Sequence, residues 1–115
     1  MIIIAFSNKT SKILPKIFCR KFKHCAPIVA NNNGQLIMYQ FVRRGNIVQI
    51  KIRMRDIKIL GQYGWKFIYM PCALPYGFDG QGVRTCVGLC KRAIGIKNAT
   101  IQTPDALHKY LGAAT

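Results

Sequence analysis

The chain begins with an uninterrupted apolar run, Ile2 to Phe6, that is rich in β-branched side chains. A strand with one solvated face alternates apolar and polar residues, whereas this run has no polar position. The run therefore predicts a strand that is buried on both faces. Half of the 115 residues are hydrophobic, so the chain can form the core that such a strand needs, and we expect residues 1–115 to fold as a single domain.

Three further strands are predicted from turn signals and from apolar alternation. The turns fall at residues 31–34 and 43–46, where Asn and Gly tolerate positive φ. The strands beside them are His24 to Ala30, Gln35 to Val42 and Val48 to Arg55. Pro27 has no N–H to donate, which predicts a sheet edge or a bulge in the first of these strands. The third strand is predicted to be half buried, with an outer face formed by Gln49, Lys51, Arg53 and Arg55.

Helix signals predict an amphipathic helix over residues 12–20 and two helices near the end of the chain. Thr85 is suited to cap a helix from Cys86 to Ile94, and Gly95 is suited to end it. A second cap, Thr103, is followed by proline and aspartate, which favour a helix start. Residues 65–70 fit another strand and residues 71–84 a long ordered loop. The sequence thus predicts an α+β fold, in which helices pack on a small antiparallel β-sheet.

The charge balance excludes several kinds of chemistry. There are 18 Lys and Arg residues against three acidic residues, which gives a formal charge of +15, and the chain has no Glu. Mechanisms that need paired carboxylates, and cages for hard cations, are therefore not expected. Twelve of the basic residues lie within residues 1–58, so we expect attraction to a polyanion such as nucleic acid, a cell-wall polymer or an anionic lipid surface.

The cysteine pattern predicts free thiols rather than a disulfide framework. The five cysteines form an odd set without regular spacing. The opening apolar run is too short for a signal peptide, and no segment approaches the length of a transmembrane helix. We therefore expect a protein of the reducing cytoplasm, without a transmembrane segment.

Cys86 is the cysteine whose position is typical of a nucleophile. It begins a helix, where free N–H groups and a partial positive charge favour the thiolate, and Arg84 adds positive charge. We therefore expect the pKa of Cys86 to lie below that of an ordinary thiol. The alternative is a small buried hydrophobic residue at the start of an apolar helix. Cys90, one turn further along, is expected to be buried beneath the helix.

Histidine and metal chemistry are the remaining candidates. His108 is expected on the surface of the last helix, whereas His24 opens a strand. A zinc site has enough potential ligands, but there is no Cys-x-x-Cys pair, and His24 and Cys25 are expected on opposite strand faces. We therefore predict no metal site and no cofactor.

Two segments of the chain resemble the circularly permuted papain-like families, which include the lecithin retinol acyltransferase group, the permuted NlpC-type peptidases and small phage-encoded relatives. The first comprises residues 3–7, a basic amphipathic helix, and then Phe22-Lys23-His24-Cys25-Ala26-Pro27-Ile28-Val29. The second comprises residues 85–96 and 103–111, which are similar to the cysteine helix and the closing helix of the phage-type members. The resemblance implies a permuted papain-like architecture and a cysteine hydrolase or acyltransferase.

The resemblance also implies roles for individual residues. His24 corresponds to the base and Cys86 to the nucleophile. The usual place of the third, orienting residue falls on Met38, which cannot accept from a ring N–H in that role, so the nearby amide of Gln40 is the candidate. Gln81 is a candidate oxyanion donor. The substrate would carry an amide or ester bond, and peptidoglycan fragments, lipids and nucleic-acid-bound proteins all remain open.

A non-enzymatic module that binds nucleic acid or another polyanion is the alternative function. Its cations would be Arg43, Arg44, Lys51, Arg53 and Arg55, with Tyr39, Phe41 or Trp65 stacking on bases. The same strand cations also fit a solvated sheet face or an edge protected against aggregation.

Overall fold

The structure, a computed structural model, describes residues 1–7, 24–30, 33–43, 46–71, 78 and 85–114. The strands in these ranges are β1 (Ile2–Ser7), β2 (His24–Ala30), β3 (Leu36–Arg43), β4 (Asn46–Ile52) and β5 (Lys66–Met70). The helices are α1 (Met54–Gln62), α2 (Cys86–Ile94) and α3 (Pro104–Ala114). The five strands form one antiparallel sheet in the order β4-β3-β2-β1-β5, which confirms the α+β prediction.

β1 is buried on both faces, as its sequence predicts. It pairs with β2 on one side and with β5 on the other. Ile2, Ile4 and Phe6 pack under α2 and α3, in a core that also contains Cys25 and Cys90. Ile3 and Ala5 pack on the opposite face, in a second core that receives Ile57 from α1. The sheet therefore lies between two helical layers, and β1 is its most enclosed strand.

The cap signals of α2 and α3 are confirmed. The Thr85 hydroxyl accepts from the backbone N–H of Gly88 at 2.9 Å, and the Thr103 hydroxyl accepts from that of Ala106 at 3.1 Å. Gly95 ends α2 in the left-handed region with φ of 77°, where a residue with a Cβ is strained. α2 therefore begins at Cys86 because of its cap, which fixes where this cysteine lies.

Pro27 does not mark a sheet edge. β2 is an inner strand, and its pairing with β1 runs through Pro27 opposite Ile4. The pairing with β3, however, covers only residues 28–30 of β2, so this ladder ends next to Pro27. A proline cannot donate to a ladder, which accounts for the end of the pairing there. His24 and Gln40 both lie beyond it.

The predicted strand from Val48 to Arg55 is partly wrong. β4 ends at Ile52, and Arg55 lies in α1, which begins at Met54 because the Asp56 carboxylate accepts from the Arg53 N–H at 2.8 Å. The face expected to be buried is open, since Val48 and Ile50 are 45% and 42% exposed. β4 is the outer strand of the sheet, and α1 packs on the inner strands instead.

Several expectations fall outside the described residues. These are the helix over residues 12–20, most of the loop over 71–84, and the positions of Cys19, Arg44, Cys72, Gln81 and Arg84. Within the described ranges, no helix is both long and apolar enough to cross a membrane.

The positive φ of Gly95 generates a stability prediction with a matched control. Among the described residues, a Cβ added at Gly95 or at Gly112, which lies within α3, meets no atom within 4 Å apart from its chain neighbours and its own helix backbone. We expect Gly95→Ala to lower the free energy of unfolding by about 1–2 kcal/mol, because its φ disfavours any Cβ. Gly112→Ala should raise it by about 0.5–1 kcal/mol, because alanine favours a helix. Urea denaturation of both variants measures the difference, and equal effects would contradict the backbone explanation.

Candidate active site

His24 and Gln40 meet at the end of the sheet that lies beyond Pro27. The ring Nε2 of His24 is 2.6 Å from Oε1 of Gln40. His24 is the first residue of β2, and Gln40 shares a face of β3 with Met38, so the two side chains bridge the gap where the β2–β3 ladder has ended. The structure thus shows the contact that the sequence predicts for these two residues.

The Gln40 amide is itself held in one orientation. Its Nε2 donates to Sδ of Met38 at 3.0 Å, so Oε1 is the atom that points to the histidine. An amide oxygen only accepts, so the His24 Nε2 must carry the hydrogen in this contact. Met38 occupies the place of the third residue in the resemblance, and here it contacts the amide that contacts the ring.

Trp65 is a neighbour of His24 that the sequence analysis missed as part of the site. The two rings are perpendicular, with centroids 6.4 Å apart. Trp65 precedes Lys66, which pairs with Phe6, while His24 pairs with the next residue of β1, Ser7. The two rings therefore reach each other across the end of β1. This contact depends on the pairing of β5 with β1. Because that pairing joins distant parts of the chain, no local sequence pattern predicts it.

Cys86 contacts both His24 and Cys25 through side-chain hydrogen bonds. The thiol is half-buried at the first residue of α2, packed against the core that contains Phe6 and Cys25. Strand alternation separates His24 from Cys25, as predicted, but Cys86 lies at the end of the sheet and contacts both. Cys86 and His24 are therefore together, and Cys25 is a second member of the site that the sequence analysis set aside.

The expectation of a low pKa at Cys86 is wrong. The hydrogen bond with Cys25, burial and the negative charge that Cys25 can carry all raise the pKa of the Cys86 thiol above its ordinary value. The hydrogen bond and charge of His24 lower it, but they do not prevail. The hydrogen bond with Cys25 and burial thus outweigh the lowering effect of His24, and at neutral pH Cys86 is a neutral thiol.

Cys90 is inert in this arrangement. It is fully buried, as predicted, and burial is the main cause that raises the pKa of its thiol. A hydrogen bond with Cys25 acts in the opposite direction.

The other titratable candidates lie elsewhere. His108 is half-buried and packs edge-on against Phe6, with ring centroids 4.9 Å apart, so the expectation of a surface histidine is wrong. Among the described residues, no group of three His, Cys, Asp or Glu side chains is arranged to hold a metal ion.

The predicted cation set does not share one strand face. Lys51 is exposed on β4, Arg53 is exposed just before α1, and Arg55 is exposed within α1. Arg43 ends β3 at the hairpin. The proposed stacking aromatics are engaged elsewhere, since Phe41 is buried, Tyr39 packs edge-on against Phe78, and Trp65 contacts His24.

Comparison with family models found no match to this chain, and comparisons with curated proteins and with solved structures found none either. The papain-like architecture therefore stays a prediction.

The pKa of Cys86 can be tested by its rate of alkylation with iodoacetamide as a function of pH. We expect the rate to be still rising above pH 9, because the thiolate is scarce at lower pH. Cys25→Ala should speed alkylation at a fixed pH, and His24→Ala should slow it, since Cys25 raises the pKa and His24 lowers it. A shift of one pKa unit changes the thiolate fraction about tenfold.

Cys90→Ala serves as the control, because Cys90 is not among the groups that shift the pKa of Cys86. Cys86 and Cys90 share the tryptic peptide 85–91, so the labelled sulfur must be located by fragmentation of that peptide. A rate that levels off near pH 7 would contradict a neutral resting thiol.

Proposed function

We propose that this protein is a cysteine hydrolase or acyltransferase that acts on an amide or ester bond through Cys86, His24 and Gln40. The observation that carries the proposal is the 2.6 Å hydrogen bond between Gln40 and His24, on a histidine that also contacts the Cys86 thiol. A nucleophile, a base and a group that orients the base form the arrangement that thiol acyl transfer needs.

Gln40 is a positioning residue in this mechanism. By accepting from Nε2–H it holds His24 in the tautomer whose lone pair is on Nδ1, the remaining ring nitrogen. The Met38 contact keeps the amide from turning over and presenting its NH₂ group to the ring. The neutral imidazole is therefore prepared to accept a proton from the thiol.

The raised pKa of Cys86 sets the order of events. The thiol transfers its proton to His24 as the sulfur attacks the carbonyl carbon, because no thiolate is present beforehand. The imidazolium then protonates the leaving amine or alcohol, and the acyl group remains on sulfur as a thioester. Water or a second nucleophile, deprotonated by His24, attacks the thioester and releases the acyl group.

The first turn of α2 supplies donors for the oxyanion. The Thr85 cap uses the N–H of Gly88, and helix geometry leaves the N–H groups of Cys86 and Val87 without a partner inside the helix. A carbonyl attacked by Cys86 would develop its negative charge beside these groups. Gln81 stays a prediction as a further donor, since it lies outside the described residues.

The architecture that we propose is the permuted papain-like one, of the small phage-encoded kind. It is supported by the order of the elements, in which the histidine begins the second strand of the sheet and the cysteine helix follows the last strand. Because the mechanism needs Cys86 as a free thiol, the activity suits a reducing compartment such as the cytoplasm.

The proposal is tested by trapping the acyl-enzyme. We expect a p-nitrophenyl ester to acylate Cys86, detected as an intact-mass increase that maps to peptide 85–91, and to be turned over. Cys86→Ala should abolish acylation, and His24→Ala should slow it by about 10²- to 10⁴-fold, the range for loss of a general base. Acylation that persists in Cys86→Ala would exclude this nucleophile.

Gln40→Ala should reduce kcat, and its effect on the tautomer of the His24 ring can be measured independently of activity. Nitrogen shifts of the His24 imidazole should report Nε2–H in the parent protein and a mixture of tautomers in the variant. Gln49→Ala, on the exposed strand β4, is the matched control and should change neither kcat nor the His24 tautomer. An unaltered tautomer in Gln40→Ala would leave Gln40 with a structural role only.

Polyanion binding is the second candidate, favoured by the net charge of +15 and by the exposure of Lys51, Arg53 and Arg55. We expect a single-stranded oligonucleotide to bind with an affinity that falls as salt rises. Replacing the three cations by alanine should weaken binding and flatten the salt dependence, whereas Cys86→Ala should bind unchanged. Retention of full affinity in the triple variant would place any polyanion site elsewhere.

A further inference from the structure

The catalytic thiol has a second sulfur beside it that the proposed reaction does not use. Cys86 and Cys25 are joined by a side-chain hydrogen bond, and both pack in the core between the sheet and α2. Cys25 has no exposed surface, whereas Cys86 is half-buried. Both are free cysteines in the structure.

The geometry distinguishes Cys25 from Cys90 as a partner for Cys86. Cys86 and Cys90 are four residues apart in one helix, where Cβ atoms are about 5–6 Å apart. A disulfide needs about 3.5–4.5 Å between Cβ atoms, so this pair cannot join without distorting the helix. Cys25 comes from β2, against which α2 packs, and Cys86 packs against the core cluster that contains Cys25.

We propose that Cys25 is a resolving cysteine that forms a reversible disulfide with Cys86 under oxidising conditions. The proposal rests on Cys86 being the nucleophile of the proposed function, and it adds a modification site that blocks that nucleophile. While the bond is closed, Cys86 has no thiol with which to attack a carbonyl.

The oxidant is a hydroperoxide, and the chemistry takes two steps. The Cys86 thiol passes its proton to His24 as its sulfur attacks one peroxide oxygen, the O–O bond breaks, and Cys86 becomes a sulfenic acid, while the departing hydroxide or alkoxide takes the proton from His24 and leaves as water or alcohol. The Cys25 sulfur then attacks the sulfenic sulfur, the S–O bond breaks, and water leaves with the Cys25 proton. Of Cys86 and Cys25, only Cys86 presents surface to the oxidant, so the order of the two steps follows from burial. A dithiol reductant reverses the bond by exchange.

The test treats the full chain with hydrogen peroxide, blocks the remaining thiols, and maps disulfides by mass spectrometry without reduction. We expect the tryptic peptides 24–43 and 85–91 to be joined, with fragmentation placing the link at Cys86. Dithiothreitol should restore both the free peptides and the acylation of Cys86. A link from Cys86 to Cys19, Cys72 or Cys90, or no link at all, would overturn the proposal.

Variants give a second readout that does not depend on activity. Cys90→Ala is the matched control, since it also removes a buried sulfur of the same core, and it should form the disulfide as the parent does. Cys25→Ala should instead accumulate Cys86 with two added oxygens, a sulfinic acid that dithiothreitol does not reverse. Thermal melting checks that both variants are folded. The disulfide is detected by mass and not by activity. Its presence or absence is therefore established even if no ester acylates the protein.

Discussion

The enclosure of β1 is the constraint on which the rest of the structure depends. Every residue of this strand is buried, so both of its faces must be covered and both of its edges must be paired. Those requirements bring β2 and β5 to its two sides and place helices above and below. The end of β1 at Ser7 then determines where the neighbouring strands can bring their side chains together. His24 and Trp65 meet there because His24 begins β2 and Trp65 directly precedes β5, and both strands pair with β1.

A break in the pairing of the sheet lies beside this enclosed strand, at the candidate active site. Continuous pairing between β2 and β3 would fix neighbouring side chains by backbone contacts alone, whereas the ladder stops next to Pro27. His24 and Gln40 are joined instead through their side chains, and Met38 holds the amide. A proline that looks unfavourable within an inner strand therefore accompanies a place where two strands are linked by a hydrogen bond between side chains.

Local signals in the sequence predicted much of this arrangement, and contacts between distant segments account for what they missed. The Thr85 cap and the Gly95 end placed Cys86 at the start of α2 because both are determined within a few residues. The apolar run of β1 correctly predicted that this strand is buried on both faces. In contrast, alternation alone extended β4 to Arg55, although Asp56 favours a helix start at that point. The pKa of Cys86 depends on Cys25, which lies 61 residues earlier in the chain, so no local pattern could reveal it.

A cysteine whose thiol stays neutral at rest is protected from unwanted electrophiles until its substrate is bound. Enzymes that keep a cysteine as a standing thiolate expose it to every stray electrophile in their surroundings, whereas in the mechanism that we propose Cys86 becomes nucleophilic only while a proton can pass to His24. Surveys that rank cysteines by intrinsic reactivity would therefore pass over Cys86. A selective inhibitor would need to occupy the substrate position first and carry a carbonyl-like electrophile, so that the attack itself draws the proton from sulfur.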